Sequence, residues 1–237
     1  MEQVSEFSHL SAPREVQVLT MDAHTYALTT VGSMDNNCWL LCRDGQALLV
    51  DAADDAEHLL NVAEQLGVQI TDVLTTHRHY DHVQALQEVL QQTGARHHGP
   101  RLDAEALPAQ PDRVYGNDAG GREPLDLAGE KVQELNLQVV ELRGHTPGGL
   151  AVLDLAGTDG SQTPTQGTTP RAWVGDSLFP GGVGKTDSAE QFQQLLSDVN
   201  DRIFSLPDNT RIHPGHGDST TVGEEKGKVD EWRARGW

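Results

Sequence analysis

The run "TTHRHYDHV" constrains this chain more than any other stretch of its sequence. It places four metal-binding side chains within six positions, directly after a predicted strand: His77, His79, Asp81 and His82. Residues two apart in an extended segment share a face, so His77 and His79 can hold one metal ion together. As the chain turns into the next helix, Asp81 and His82 can face a second position. Imidazole and carboxylate ligands without a thiolate suit zinc, iron or manganese.

More candidate ligands follow later predicted strands. They are His145 in "RGHTPGG", Asp176 in "GDSLF" and His216 in "HPGHG". Another histidine, His213, precedes His216, and we expect it to support that loop. His97 and His98 in "ARHHGP" follow a predicted strand, where a surface or structural role is expected, with the rim of the pocket as the alternative.

Apolar periodicity predicts strands followed by helices, twice over. In the first half the strands are 16–20, 26–32, 38–43, 46–52 and 70–77, and the helices are 54–67 and 81–94. In the second half the strands are 137–144, 150–156, 171–175 and 210–215, and the helices are 187–206 and 223–236. This order predicts an α+β fold, an αββα sandwich in which two mixed β-sheets pack face to face with helices outside.

The length of 237 residues fits a single domain spanning 1–237. Residues 1–14 are expected to be flexible. Residues 156–171 are rich in Gly, Thr, Pro and Gln, which predicts a flexible loop insertion between paired strands.

The net charge of -19 argues against nucleic acid or an anionic membrane as a partner. The sequence has no apolar run long enough to cross a membrane. Its N-terminal stretch lacks a basic region followed by an apolar one, so we expect a cytoplasmic protein. Cys38 and Cys42 share one face of a predicted strand and stand too far apart for a disulfide, which predicts buried free thiols. The sequence leaves the oligomeric state open.

The motif order resembles that of the metallo-β-lactamase superfamily. "THRHYDH" matches the HxHxDH signature, and "GHTPGG", "GDSLF" and "HPGHG" follow in the family's order. The resemblance implies two divalent metal ions, with zinc expected first and iron or manganese as alternatives. One ion would be held by His77, His79 and His145, and the other by Asp81, His82 and His216. Asp176 would bridge the two.

In such a site a metal-bridging hydroxide attacks a thioester or ester carbonyl. The resemblance assigns catalytic roles to two aspartates. Asp81 would orient the hydroxide and accept its proton, and Asp176 would set the distance between the metals.

The stretch "GDSLFPGGVGKTD" ends like a phosphate-binding P-loop, but Phe179 stands where that motif requires glycine. It instead resembles the glyoxalase II branch of the superfamily, the hydroxyacylglutathione hydrolases. There Lys185 would contact a carboxylate of a small anionic thioester or ester substrate. We expect residues 181–184 to form a pliable loop beside the pocket.

Three departures from that branch argue against glutathione as the thiol carrier. No tyrosine follows the last candidate ligand, and the C-terminal helical region is short. "VQAL" also replaces the usual Gly-Gly after the HxHxDH motif.

Two other readings remain open from the sequence. Persulfide dioxygenases share the fold and would hold one iron through His77, His145 and Asp176. The other is a non-catalytic metal-binding module, which a missing ligand would favour; here none of the ligands is missing.

Overall fold

The computed structural model describes residues 1–10, 12–21, 24–117, 120–155 and 169–236. Within these ranges no helix combines the length and the apolar character needed to cross a membrane. The loop expected over 156–171 lies outside the described residues, apart from its last three positions. The strands on either side of it pair antiparallel, as the hairpin interpretation requires.

The first half of the described chain forms a mixed sheet whose strands follow one another in sequence order. Its strands are β1 (Glu2–Gln3), β2 (Val16–Met21), β3 (His24–Val31), β4 (Asn36–Arg43), β5 (Gln46–Val50), β6 (Gln69–Leu74), β7 (Arg96–Pro100) and β8 (Arg113–Tyr115). Strands β2 to β5 are antiparallel. From β5 to β8 neighbouring strands are parallel, joined by helical or looped crossovers.

The second half supplies the other mixed sheet and a short hairpin. Its strands are β9 (Glu123–Pro124), β10 (Gln138–Glu141), β11 (Leu150–Asp154), β12 (Arg171–Gly175), β13 (Leu178–Phe179), β14 (Gly182–Val183), β15 (Arg211–Pro214) and β16 (Thr220–Thr221). The sheet order is β16-β15-β12-β11-β10-β9, with β13 and β14 paired separately. Only the β12–β15 pair of this described sheet is parallel.

The described helices are α1 (Ala56–Leu66), α2 (Leu86–Thr93), α3 (Glu130–Gln133), α4 (Ala189–Arg202), α5 (Val222–Glu225) and α6 (Val229–Arg235). All but α3 lie on the outer faces of the two sheets, whereas the short α3 adds Val132 to the apolar cluster between them. The long helices have side-chain caps at their first turns: Asp55 accepts from the His58 amide and Ser188 from the Gln191 amide. Gly67 ends α1 in the left-handed conformation that glycine adopts without strain.

Strand β4 shows how the layers are built. Its residues alternate between two apolar clusters: Leu40 lies under the helices, whereas Trp39 and Leu41 lie between the sheets. Strand β11 alternates in the same way, with Val152 between the sheets and Leu153 facing the helices of the second half. Four layers result, helix on sheet on sheet on helix, which confirms the predicted αββα sandwich.

Cys38 and Cys42 lie on the helix-facing side of β4, and both are buried free thiols as predicted. Burial raises the pKa of Cys42 to about 12, so this thiol stays protonated and unreactive.

The structure corrects three local expectations. Helix α2 begins at Leu86 rather than at Asp81, because residues 80–82 form a 3-10 turn that buries His82 and leaves Tyr80 exposed. The expected C-terminal helix breaks into α5, a 3-10 turn and α6. Residues 181–184 belong largely to the β13–β14 hairpin rather than to a pliable loop.

The N-terminal segment, expected to be flexible, packs against the body of the protein. Strand β1 pairs with β2, and Phe7 contacts the Trp39 ring edge-on at a centroid distance of 4.7 Å. Glu6 pairs with Arg211 at 2.9 Å. These contacts bury an aromatic ring, which offsets the entropy lost by ordering the segment.

Candidate metal centre

The carboxyl ends of several strands meet at one edge of the sandwich. The loops after β6, β10, β12 and β15 all end there, and they carry the predicted ligands. Two links join the sheets at this edge: Leu150 donates its amide to the Thr76 carbonyl at 2.8 Å, and Asn37 donates to the Gly215 carbonyl at 2.7 Å. Ligands distant in sequence therefore converge, as is usual for sites at the carboxyl ends of strands.

All seven side chains predicted as ligands come together at this edge. Their nitrogen and oxygen atoms fall into three groups, each within 4.8 Å: His77–His79–His145, His77–His82–Asp176 and Asp81–His82–His216. The first and third groups coincide with the two metal positions that the motif resemblance implied.

Four of the histidines share one hydrogen-bond pattern, in which Nδ1 donates to an oxygen outside the cluster. The donor–acceptor pairs are His77 to Thr76 Oγ1 (3.0 Å), His82 to Asp51 Oδ2 (2.8 Å), His145 to the Lys185 carbonyl (2.7 Å) and His216 to the Met34 carbonyl (2.9 Å). The pattern leaves Nε2 of each ring to face the cluster. Outer partners of this kind fix the tautomer and orientation of metal-binding histidines.

The nitrogens facing inward stand close to one another. Nε2 of His77 lies 3.1 Å from Nδ1 of His79, and Nε2 of His82 lies 3.2 Å from Nε2 of His216. Nε2 of His145 is buried and has no hydrogen-bond partner among the described residues. Converging lone pairs and an orphaned buried nitrogen are costly without a cation. The donor set of nitrogens and carboxylates thus fits divalent metal ions.

Asp176 lies between the two outer groups. Its Oδ1 is 3.4 Å from His82 Nε2, while its Oδ2 is 3.6 Å from Nε2 of both His145 and His216. Its carboxylate thus faces ligands of both positions. The position is crowded: a methyl group on Gly215 would collide with Asp176 and His82, so glycine is needed there.

Burial and neighbouring charges set the protonation of the cluster. Burial, with the surrounding histidines, holds the pKa of His77 well below its usual value, so its ring is neutral and free to bind a metal. Burial also lowers the pKa of His82, but the carboxylates of Asp51 and Asp176 outweigh it and raise that pKa to about 10. A metal ion at the third group would displace this proton.

Asp51 is a site residue that the motifs did not indicate. Its carboxylate accepts from the Thr76 amide, the Thr76 hydroxyl and His82 Nδ1, at 2.7, 2.7 and 2.8 Å. Its backbone is left-handed, with φ of 59°. An acidic residue ending a buried strand, as in "ALLVDA", is the signal that would have marked it.

Asn36 and Asn37 are two further site residues that the motifs did not indicate. Asn36 Nδ2 donates to Asp81 Oδ2 at 2.8 Å, which fixes that carboxylate. Asn37 Nδ2 donates to the carbonyls of Pro214 and Gly217 at 3.0 Å each, holding the loop that carries His216. Their sequence signal, "NN" after a turn, is too common to identify them.

The other clustered histidines have structural positions. His97 and His98 are buried within β7 rather than at the pocket rim, and His98 donates to Asp72 Oδ1 at 2.8 Å. His213 is buried against Trp173 and bonds Ser219 Oγ at 2.8 Å, within the turn that carries His216.

Lys185 lies beside the cluster with an exposed side chain. Within the part of the chain that the structure describes, its ammonium forms no ion pair. The hairpin before it is held tightly, since Gly184 donates to the Ser177 carbonyl at 3.1 Å. A methyl group on Gly184 would collide with the Asp176 carbonyl oxygen. Glycine here lets the lysine approach the candidate metal centre.

Comparison with known proteins agrees with this geometry. The sequence profile of the metallo-beta-lactamase superfamily matches residues 31–216. Among solved structures, TTHA1623 in a di-iron-bound form has a TM-score of 0.62 and 28% identity, over 84% of this chain and 96% of that one.

Two curated relatives extend the comparison. Hydroxyacylglutathione hydrolase GloC of Haemophilus influenzae is 30% identical over 207 residues, 83% of this chain and 92% of that protein. Hydroxyacylglutathione hydrolase of Albidiferax ferrireducens is 32% identical over 182 residues, 77% of this chain but 62% of that longer protein. The chain therefore belongs to the metallo-β-lactamase superfamily, among its glyoxalase II-like hydrolases.

Proposed function

We propose that this protein is a dinuclear metal-dependent hydrolase that cleaves a small anionic thioester. The observation that carries the proposal is the pair of ligand groups, His77–His79–His145 and Asp81–His82–His216, with Asp176 between them. A mononuclear iron site would need only one such group. The presence of the second therefore favours the hydrolase over a persulfide dioxygenase.

The chain's own residues have separable roles in this reaction. Bound divalent cations would lower the pKa of a water molecule and polarise the substrate carbonyl. Asp81 is the proposed acceptor of the water's proton, and Asn36 holds its carboxylate in one direction at 2.8 Å. Asp176 sets the spacing of the two positions. Attack on the carbonyl carbon breaks the carbon–sulfur bond, and the sulfur leaves as a thiolate, which takes up a proton.

Zinc is the first metal to test, and iron the second. Histidine and carboxylate ligands accept both, and the sequence-similar TTHA1623 was solved in a di-iron-bound form.

The substrate proposed for the first assay is a hydroxyacyl thioester of glutathione. The short C-terminal region argued against this carrier. The GloC relative weakens that argument, because this chain covers 92% of it and it is named a hydroxyacylglutathione hydrolase. Lys185 supplies the cation for a carboxylate of the carrier.

The test is a thioester hydrolysis assay on purified protein with its metal content measured. We expect two metal ions per chain and activity that a chelator abolishes. His79→Ala or Asp176→Ala should lower kcat/KM by more than the ~100-fold typical of an outer metal partner. His9→Ala, at an exposed histidine bonded to Asp218, serves as the control. Full activity of His79→Ala would refute the metal assignment. One iron per chain, with oxygen consumed on a persulfide, would overturn the hydrolase.

A further inference from the structure

Asp103 lies outside every motif of the site, in the loop after β7. It occupies the position before the 3-10 helix Ala104–Ala106, where an aspartate commonly caps the following turn, yet its side chain makes no capping bond there. The side chain is completely buried, with 0% exposure. A buried carboxylate diverted from its local cap needs other partners.

Those partners are two loops that carry candidate ligands. Asp103 Oδ2 accepts from the backbone amide of Arg78, and its Oδ1 accepts from the amide of Gly148, both at 3.1 Å. Arg78 stands between His77 and His79 in the sequence, and Gly148 follows His145 by three positions. One carboxylate thus touches both segments that supply the first ligand group.

The two loops belong to different sheets, so their spacing is a tertiary property. One follows β6 of the first sheet and the other follows β10 of the second. The backbone bond from Leu150 to Thr76 also joins them, but it lies before His77 on one side and after His145 on the other. Asp103 adds a second link that lies nearer the ligands, at Arg78 between His77 and His79 and at Gly148 between His145 and Leu150.

We propose that Asp103 is a positioning residue for the metal held by His77, His79 and His145. The inference rests on the metal assignment of the proposed function. A single carboxylate that accepts from two backbone amides gives both donors one common acceptor group, which suits holding two loops in register. The other position depends on different partners, since Asp51 orients His82 and Asn36 fixes Asp81.

The test is metal titration of Asp103→Asn, with Co²⁺ as a spectroscopic probe and Zn²⁺ in competition with a chromophoric chelator. Asparagine keeps the size of the side chain but turns an NH2 group toward one of the two amides, so one bond is lost. We expect one of two binding events to weaken about 10–100-fold, as is typical for an outer partner of a metal ligand, with the other unchanged. The Co²⁺ absorption of the weakened event should change as well.

The matched control is Asp72→Asn. Asp72 is also a buried aspartate that accepts from two backbone amides, those of Ala128 and Gly129, at 2.7 and 3.0 Å. It anchors a loop that carries no ligand. Thermal melts in chelator should show similar losses of stability for the two variants, while metal affinity falls in Asp103→Asn alone. If Asp103→Asn does not fold, Asp103→Glu, which keeps the charge but moves the oxygens, is judged by the same criteria.

The inference is overturned if both binding events keep their affinity, if both weaken equally, or if Asp72→Asn weakens metal binding as much. The titration uses no substrate, so its result is independent of thioester hydrolysis. A wild-type protein that binds metal but hydrolyses no thioester would refute the proposed function and leave the role of Asp103 standing.

Discussion

Single residues around the metal centre act through atoms turned away from it. Each of His77, His82, His145 and His216 donates Nδ1–H to an oxygen, which leaves Nε2 facing the candidate metal centre. Three kinds of group accept these hydrogen bonds: a hydroxyl, a carboxylate and backbone carbonyls. Because a carbonyl has no side-chain identity, residues such as Met34 can take part whatever their type.

Lys185 should affect binding more than chemistry. In Lys185→Ala we expect KM for an anionic thioester to rise about 10-fold with kcat nearly unchanged, because the lost ion pair stabilises substrate and transition state alike. Steady-state kinetics at low and high salt measure the change in KM. High salt should narrow the difference in KM between Lys185→Ala and the wild type, because it screens the ion pair. Lys131→Ala, at an exposed lysine paired with Glu134, is the control. A fall in kcat with unchanged KM would contradict the assigned role.

His213 should make stability depend on pH. Burial, with the charges of Arg171 and Arg211, holds its pKa well below the usual value, and its Nε2 faces an Arg171 nitrogen at 3.2 Å. The unfolded chain binds a proton near pH ~6.5 that the folded chain excludes, so stability falls as pH drops below that value.

We expect His213→Gln to flatten the wild-type slope by up to ~1.4 kcal/mol per pH unit below about pH 6.5. Urea unfolding of metal-free protein across this range measures it. An identical slope in His213→Gln would show that this ring does not carry the effect.

At the scale of elements, the β13–β14 hairpin joins Asp176 to Lys185. Its turn is held from the C-terminal side, where Glu225 accepts from the Gly181 amide at 3.0 Å and Arg235 donates to the Gly181 carbonyl at 3.2 Å. The segment from α5 to α6 thus holds the turn of the β13–β14 hairpin in place through hydrogen bonds to the backbone of Gly181.

Gly184→Ala should distort this hairpin. The added methyl would collide with the Asp176 carbonyl and lie 3.3 Å from His145 Nδ1. We expect a loss of about 1–3 kcal/mol in the free energy of unfolding, as overpacking typically costs, together with weaker metal binding. Denaturant unfolding and metal titration measure the two effects. Gly227→Ala is the control, because a methyl there meets no atom within 4 Å. Unchanged metal affinity in Gly184→Ala would contradict the close packing described.

For the whole molecule, the metal centre is a junction between the two sheets. His77, His79 and His82 come from the loop after β6 of the first sheet, whereas Asp176 and His216 follow β12 and β15 of the second. An ion held by these candidate ligands would join the two halves of the sandwich, and the folded state would bind it far better than the unfolded chain can.

Metal removal should consequently lower the melting temperature. Metal at 100 times its Kd stabilises a folded protein by about 2.7 kcal/mol. At ~2–4 °C per kcal/mol for a chain of this size, Tm should rise by roughly 5–10 °C over protein in chelator. Thermal melts with chelator and after metal is restored measure the shift. The shift should shrink in His79→Ala, and an unchanged wild-type Tm would mean that no ion joins the sheets.

The layers of the fold and the candidate ligands were predictable from local sequence patterns. Alternation along β4 and β11 predicts strands with two apolar faces, because side chains of a strand point to opposite sides. Ligand chemistry is likewise local, so short motifs were enough to predict His77, Asp176 and His216 as candidate ligands, and the structure brings these side chains to one edge. The order of strands and helices was sufficient for the αββα class.

The groups that support those candidate ligands depend on long-range packing. Asn37 and Asp103 bond loops far away in the chain, and no specific local pattern marks them. Asp51 ends a buried strand, but its partners Thr76 and His82 follow from the tertiary structure alone.

The late start of helix α2, predicted from residue 81, also involves distant residues. Gln84 and Ala85 donate their amides to the carbonyls of Ala53 and Ala52 instead of to the preceding helical turn, so tertiary contacts override local propensity. The sequence determines which candidate ligand atoms the chain carries. The distances between those atoms depend on how the two sheets pack against each other.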